Sequence, residues 1–260
     1  MSYELENIQV GETRLPLYHF GPGTSSMDVL WDLIERDECP VWGATLMERQ
    51  SGGRGRMGRV WQSPAGHVYG ALRLPHEPPF DGPGASLALS VILALTLNEY
   101  GWPVGLKWPN DLILEGAKVG GLLLESRRDA LIAGIGFNLV APPEGDWRQT
   151  RAPGAPPPGA LPWMEGPKAL WPGLVKKTFL LYNKKFGGRD ISELIPEAEK
   201  LLLWRHQMVK VERPAAEPMA PESGLTARIT GLGPEGQLLL TNSAGSYQLW
   251  SGTLTLAEAR

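Results

Sequence analysis

The stretch Gly52-Gly53-Arg54-Gly55-Arg56-Met57-Gly58-Arg59-Val60-Trp61 sets three arginines among small or flexible residues and closes on a tryptophan. Glycine lets backbone N–H groups come close to a ligand. Each guanidinium offers a rigid fork of donors suited to carboxylate or phosphate. A loop of this make is suited to wrapping an anion. Gly53, Gly55 and Gly58 also spell G-x-G-x-x-G. In a dinucleotide-binding unit that pattern follows a strand, opens a helix and precedes an acidic residue about 20 positions on. Here Pro64 argues against a helix at the third glycine, and Leu74-Pro75-His76-Glu77-Pro78-Pro79 does not read as a second strand. A nicotinamide or flavin site is set aside on those grounds.

Around this loop the chain reads as short strands and amphipathic helices. Val41 to Met47 is a buried strand leading into the loop, and His67 to Leu72 is the next. Met27, Leu30, Trp31 and Ile34 recur at the helical period, with Ser25 or Ser26 as N-cap and Asp28 in the first turn. A helix N-terminus is also an anion site, so cap and ligand roles coexist there. Ser86 to Tyr100 is a mostly apolar helix stopped by Gly101 and Pro103. Val104 to Lys107, Leu112 to Leu114, Val119 to Glu125 and Leu131 to Asn138 are short strands, with a hairpin turn at Glu115-Gly116-Ala117. Nine prolines crowd Ala141 to Gly173, which predicts an irregular surface insert. Helical pattern returns at Leu174 to Phe186 and Ile191 to Leu203. After Trp204, five short runs (206–212, 225–232, 237–242, 246–250, 253–256) suggest a small antiparallel barrel. The expectation is an α+β fold: a mixed sheet with packed helices over 1–204, a Pro-rich insert at about 141–173, and a barrel over 205–260.

Bulk properties narrow the function. A hydrophobic fraction of 42% over 260 residues is ample for a core, and a net charge of −3 gives no global field for nucleic acid or an anionic membrane. The single cysteine, Cys39, excludes an internal disulfide framework and suits a reducing cytosol. Met1 to Val10 is acidic and polar, unlike a signal peptide, and the apolar run Leu87 to Leu97 is too short to span a bilayer. The four histidines show no metal spacing. Most of the 10 tryptophans read as packing residues; Trp61 and Trp108 stand apart because they sit inside polar motifs.

Two further motifs carry chemistry: Lys107-Trp108-Pro109-Asn110-Asp111 and Lys118-Val119-Gly120-Gly121. Asp111 and Lys118 face each other across the hairpin, either as a structural ion pair or as part of a site. With Lys107, Arg54 and Arg56 they fit activation of a carboxylate by a phosphate, cations holding two anions together. Asp111 would then hold Mg²⁺. Asn110 serves a turn or a ligand, and Asn138, closing Gly134-Ile135-Gly136-Phe137-Asn138, has the same two readings.

These four ordered motifs, spread over about residues 24 to 140, resemble those of the biotin protein ligases: G-R-G-R-x-G-R-x-W, K-W-P-N-D, K-x-G-G-I-L and G-I-G-x-N. The resemblance implies a class II aminoacyl-tRNA-synthetase-like catalytic domain followed by an SH3-like barrel. It implies adenylation of biotin with ATP and Mg²⁺, then transfer to a lysine of a biotin carboxyl carrier domain. By the same resemblance Ser25, Ser26, Gln50, Gly53, Arg54, Arg56, Lys118, Gly120 and Gly121 line the biotin site. Arg54, Arg56, Arg59, Trp61, Asn110, Lys118 and Asn138 serve the adenylate. Lys118, Arg54, Lys107 and Asp111 carry catalysis, with Asp111 at the metal. A cytoplasmic monomer or homodimer is expected. Only some 23 residues precede Thr24, too few for the helix-turn-helix of bifunctional members, so DNA binding is not implied. Ser25-Ser26-Met27 departs from the family's usual Ser-Thr-Asn, Met57 from a frequent arginine, and His67-Val68-Tyr69-Gly70 from Asn-Leu-Tyr-x. A lipoate or octanoyl ligase or transferase, and a non-catalytic binding relative, are the competing readings.

Overall fold

Apolar patterning sorts the chain onto the two faces of one large sheet. The computed structural model describes residues 2–142, 154–212 and 224–257. Eight strands, β1 (Tyr3–Val10), β2 (Thr13–Phe20), β3 (Ala44–Met47), β4 (Val68–Leu74), β5 (Gly105–Lys107), β6 (Asp111–Leu114), β7 (Ala117–Arg127) and β8 (Ala130–Phe137), lie in the order β1-β2-β3-β4-β8-β7-β6-β5. Only β2 and β3 run parallel, joined by helix α1 (Ser26–Glu35). The sheet is therefore mixed, as expected.

The sheet's two faces are covered unequally. On one face Leu17, Ala44, Leu46, Val68 and Leu72 pack in a core with α2 (Ala85–Asn98), α3 (Pro167–Leu181) and α4 (Ile195–Leu201). Helix α2 is apolar almost all round and almost wholly buried, as a central core helix must be. On the other face α1 alone covers the sheet. Its Met27, Leu30, Trp31 and Leu33 pack on Tyr18, Phe20, Met47, Ala71 and Ile132. Helix α1 spans β3, β4 and β8. Cys39 is buried in this cluster as a free thiol whose pKa burial pushes up to about 12, so it is chemically inert.

Strands β9 (Met208–Glu212), β10 (Thr226–Leu232), β11 (Leu238–Asn242), β12 (Gly245–Leu249) and β13 (Thr253–Leu256) form a second, antiparallel sheet ordered β12-β11-β10-β9-β13. The five strands fall where the sequence places them. The closed barrel does not follow: among the described residues no ladder joins β12 to β13, so the sheet keeps two edges. Its inward residues Val209, Val211, Ile229, Leu238 and Leu254 join the main core. Trp108, set apart in the sequence because it sits inside a polar motif, lines the cavity described below and also belongs to that junction. It is buried and its indole N–H donates to Gly236 O at 2.9 Å.

Other expectations change. The hairpin β1–β2, turning at Gly11-Glu12, has no counterpart in the sequence reading; β1 is an exposed edge strand in which only Ile8 is buried. The strand before the arginine loop begins at Ala44 rather than Val41, after Trp42 in a left-handed conformation. Helix 191–203 divides into a 3₁₀ turn at Ile191–Glu193 and α4. Residues 143–153 of the Pro-rich insert lie outside the described residues. The rest is less of a surface loop than expected: Leu161 is fully buried, and Pro167 opens α3, which carries Pro172 within it. Among the described residues no helix is long and apolar enough to cross a membrane.

Gly70 is a tight fit on the face that carries α2 and α3, because a Cβ there would run into the Trp171 ring of α3. Both partners are buried. Gly70→Ala should lower unfolding stability by about 1–3 kcal/mol through overpacking, seen as a lower denaturant midpoint at unchanged slope.

Candidate active site

The part of the sheet that α1 leaves bare is paved with glycine. In register across three strands stand Gly121 of β7, Gly136 of β8 and Tyr69 of β4; the next row is Leu123, Gly134 and Ala71. A Cβ on Gly136 would lie 2.7 Å from the Trp61 indole, and one on Gly134 would strike the Met27 thioether. The glycines thus let Trp61 and Met27 lie flat on the sheet. Around them opens a cavity of about 480 Å³, the size of a small-molecule site. Among the described residues the Trp61 Nε1 and the Tyr69 hydroxyl, both lining residues, are buried without a protein partner. Desolvation raises the Tyr69 pKa further, so it stays a neutral donor.

The charged edge of the cavity is built by a β-bulge. Asp111 pairs with Gly121 and Leu112 with Gly120, but Ile113 pairs with Lys118, so Val119 is the extra residue. The bulge turns Lys118 onto the same face as Gly121. Lys118 Nζ then meets Asp111 Oδ1 at 2.5 Å, while Lys107 Nζ, from β5, takes Asp111 Oδ2 at 3.1 Å. The two lysines bracket one carboxylate. Burial alone would raise the Asp111 pKa; Lys118 and Lys107 outweigh it and hold the carboxyl well below its usual range. The sequence places Asp111 opposite Lys118. They do meet, through the bulge rather than through direct register. Lys118 Nζ also lies 5.3 Å from the Trp61 ring centroid, a cation–π contact.

The arginine loop folds over this floor with a 3₁₀ turn at Arg56–Gly58 and divides its charges rather than pooling them. Arg54 is held by Asp28 and Glu125. Arg56 donates to Asn110 Oδ1 at 3.0 Å and to Ser251 Oγ at 3.4 Å. Arg59 donates to Thr253 Oγ1 at 2.9 Å, tying the loop to the C-terminal sheet. Desolvation lowers the Arg56 pKa, with Asp111 opposing. Gln50 joins the loop to α1: its Oε1 accepts from the Ser26 N–H at 2.7 Å and its Nε2 donates to Ser63 Oγ at 2.9 Å. Ser25 caps α1, accepting from the Met27 N–H, and lines the cavity with Ser26.

Lys118, Lys107, Asp111, Arg54, Arg56, Arg59, Trp61, Ser25, Ser26, Gln50, Asn110, Gly121 and Asn138 all border the one cavity. Gly53 and Gly120 do not. A Cβ at Gly53 would collide with Trp61 O and Ser63, and one at Gly120 with the Phe137 ring, so both glycines serve packing. The Asn110 side chain is used within the chain, donating to Leu122 O at 2.7 Å while accepting from Arg56. Asn138 Nδ2 donates to Gly159 O at 2.8 Å. The Pro-rich segment is a wall of the site: Ala155, Pro156 and Pro158 line it, and Lys118 exchanges backbone hydrogen bonds with Pro157 and Gly159. Asp28, Glu125, Ser251 and Thr253 escape the sequence reading. Asp28 and Glu125 look there like ordinary surface acids, and the two hydroxyls lie nearly 200 residues from the loop they hold.

Asp111 does not fit a metal ligand. It is the only carboxylate among the described lining residues, and each of its oxygens is engaged by a lysine. Among the described residues no three His, Cys, Asp or Glu side chains gather as a metal-holding group. Mg²⁺ here would depend on ligand phosphates and water, and Asp111 acts as the anchor of two ammonium groups.

Asp111→Asn should cost about 3 kcal/mol, because it leaves a buried lysine, Lys107, and a half-buried one, Lys118, unpaired. The folded-state pKa is depressed, so the carboxylate contributes its full stability above its unfolded value of about 3.9 and loses it as pH falls below that. Acid titration of stability should therefore lose its steepest part below about pH 4 in Asp111→Asn.

Residues 20–139 match the biotin/lipoate A/B protein ligase family. A biotin–[acetyl-CoA-carboxylase] ligase of Paracoccus denitrificans is 40% identical over 129 residues, covering 45% of this chain and 49% of that protein. The chain thus spans about half of that relative's length. The bifunctional ligase/repressor BirA of Bacillus subtilis is 26% identical over 231 residues, covering 86% of this chain and 69% of that protein. Among solved structures, a biotin protein ligase from Aquifex aeolicus in complex with biotin and ATP aligns at TM-score 0.69 and 25% identity, covering 94% of this chain and 99% of that one. The Leishmania major ligase with biotinyl-5-AMP, at TM-score 0.60 and 20% identity over 94% and 98% of the two chains, shares the fold. The glycine floor and the lysine pair thus lie within residues 20–139, the stretch that is similar to the biotin/lipoate A/B protein ligase family.

Proposed function

We propose that the chain is an ATP-dependent ligase that adenylates biotin and transfers the biotinyl group to a lysine of a biotin carboxyl carrier domain. One observation carries the reading. Lys118 is held by Asp111 at the edge of a glycine-floored cavity that other cations also face. With Arg54 compensated by its own carboxylates, Arg56, Arg59, Lys107 and Lys118 face the single carboxylate of Asp111. That excess of positive charge matches a carboxylate and a triphosphate brought together. The named relatives are biotin ligases, which favours biotin over a lipoate or octanoyl substrate.

In the first step a biotin carboxylate oxygen attacks the α-phosphorus of ATP, and pyrophosphate leaves. In the second, the carrier lysine amine attacks the acyl carbon, a proton is lost from nitrogen, and AMP leaves. Lys118 sits where it can draw the two anions together and neutralise charge developing at phosphorus. Lys107 holds Asp111 from the other side and so keeps Lys118 in place. Trp61 closes the floor over Gly136. Asn138 and the Pro156–Pro158 wall border the nucleotide end, and Ser25, Ser26 and Gln50 border the α1 end. Mg²⁺ arriving with ATP would screen its phosphates. The carrier, the cytoplasmic setting and a monomer or homodimer belong to the same proposal.

Biotin-dependent exchange of pyrophosphate into ATP should occur without any carrier. Lys118→Ala should lower that exchange by on the order of 10² or more, the scale for one preorganised charge-stabilising donor. Lys118→Arg should recover only part of it, because a planar fork does not replace a compact ammonium. Near wild-type exchange in a folded Lys118→Ala protein would reduce Lys118 to a structural partner of Asp111.

A further inference from the structure

Arg54 is the loop arginine with the fewest donors left for a ligand. Its Nη1 donates to Asp28 Oδ1 at 2.8 Å, its Nε to Glu125 Oε1 at 3.2 Å, and its Nη2 lies 3.1 Å from the same oxygen. Burial opposes the guanidinium charge, but the hydrogen bond to Asp28 and the charge of Glu125 more than restore it. Asp28 stands in the first turn of α1 and Glu125 on β7. Glu125 is fixed in turn: Trp31 Nε1 of α1 donates to its Oε2 at 3.0 Å. Neither acid lines the cavity.

The loop is tied down at four places, one of them the Arg56 hydrogen bond to Asn110 in the β5–β6 turn. At its base, Ser51 N–H donates to Gly23 O at 2.9 Å, Gly52 N–H to Thr24 O at 2.8 Å, and Trp61 N–H to Gly53 O at 2.9 Å. At its tip, Arg56 and Arg59 reach Ser251 and Thr253. On the α1–β7 side, Arg54 is the side chain that makes the tie.

We propose that Asp28 and Glu125 are positioning residues that hold the loop of residues 52–61 shut through Arg54, and that this clasp sets how fast a bound ligand escapes. A lone exposed ion pair contributes little. This one is a network of three donors on two carboxylates, one of them fixed by an indole. Opening the loop must break the contacts together and separate a guanidinium from two anions. The same wiring makes Arg54 a strut rather than the cation that meets the ligand, leaving Lys118 and Arg56 for that task. The proposal rests on the biotin-adenylating reading for its choice of probe alone.

The test is the release of biotinyl-adenylate, formed in place from biotin and ATP, followed by tryptophan fluorescence in stopped flow. Glu125→Gln keeps an acceptor for Trp31, and Asp28→Asn keeps the shape of the first turn. Each should speed release by about tenfold, and the pair by more, with melting temperature and the single-turnover rate of adenylate formation unchanged. Raising salt to about 1 M, where the screening length is about 3 Å, should speed release from the wild type and leave the double variant nearly unaffected. Unchanged release from folded variants, or an equal salt response, would overturn the clasp. Should the wild type form no adenylate, the functional reading fails separately. Amide exchange of residues 52–61 in the free protein then tests the clasp, which requires faster exchange in the variants and is overturned by equal exchange.

Discussion

One buried carboxylate gripped by two lysines organises the site. Without its partners Asp111 would be a costly buried charge. With them it becomes a fixed point from which Lys107 and Lys118 are aimed. The bulge at Val119 makes this possible, since a regular ladder would turn Lys118 to the opposite face. The backbone of Lys118 is fixed as well, by hydrogen bonds with Pro157 and Gly159. An ammonium held by a carboxylate, a bulge and a neighbouring backbone segment needs little reorganisation when an anionic ligand arrives. Preorganisation of that kind is the main electrostatic lever in phosphate chemistry.

The cavity itself follows from unequal coverage of a sheet. Three helices bury one face; α1 buries half of the other. The glycines at 121, 134 and 136 keep the remaining half low enough for Trp61 and Met27 to lie on it and for a ligand to lie between them. The arginine loop closes this space, and its arginines reach three different partners: α1 with β7, the β5–β6 turn, and the C-terminal sheet. The second sheet is therefore part of the site. Its Gly252 and Thr253 line the cavity, and its apolar residues continue the main core.

Much of this is legible in the residues. The helix over 27–34, the four strands from 104 to 138 and the five late strands stand out because hydrophobic period and turn residues agree there. The arginine loop, Asp111 and Lys118 stand out because their chemistry is concentrated in short motifs. The edge strand β1 is not legible. Its apolar residues, Tyr3 and Leu5 then Ile8 and Val10, change face midway, and backbone pairing rather than burial holds it. Nor are the bulge, Arg54's partners or the Pro-rich wall. A bulge depends on register, which only the folded sheet sets. Asp28 and Glu125 become a clasp only when α1 and β7 come together. Prolines in sequence signal irregularity without saying that Leu161 is buried or that Pro158 lies against Lys118. Glycine has the reverse difficulty: Gly53 and Gly120 sit inside the right motifs, yet the fold uses them for close packing.

The measurement that bears most directly on the account is a crystal structure of the chain with biotin and a non-hydrolysable ATP analogue. The biotin carboxylate and the α-phosphate should lie within about 3 Å of Lys118 Nζ, the distance of a charge-assisted hydrogen bond. The acyl chain should lie between Trp61 and Met27, with Arg54 still on Asp28 and Glu125. Ligands bound away from the glycine floor, or a Lys118 that keeps Asp111 and touches neither anion, would contradict this reading.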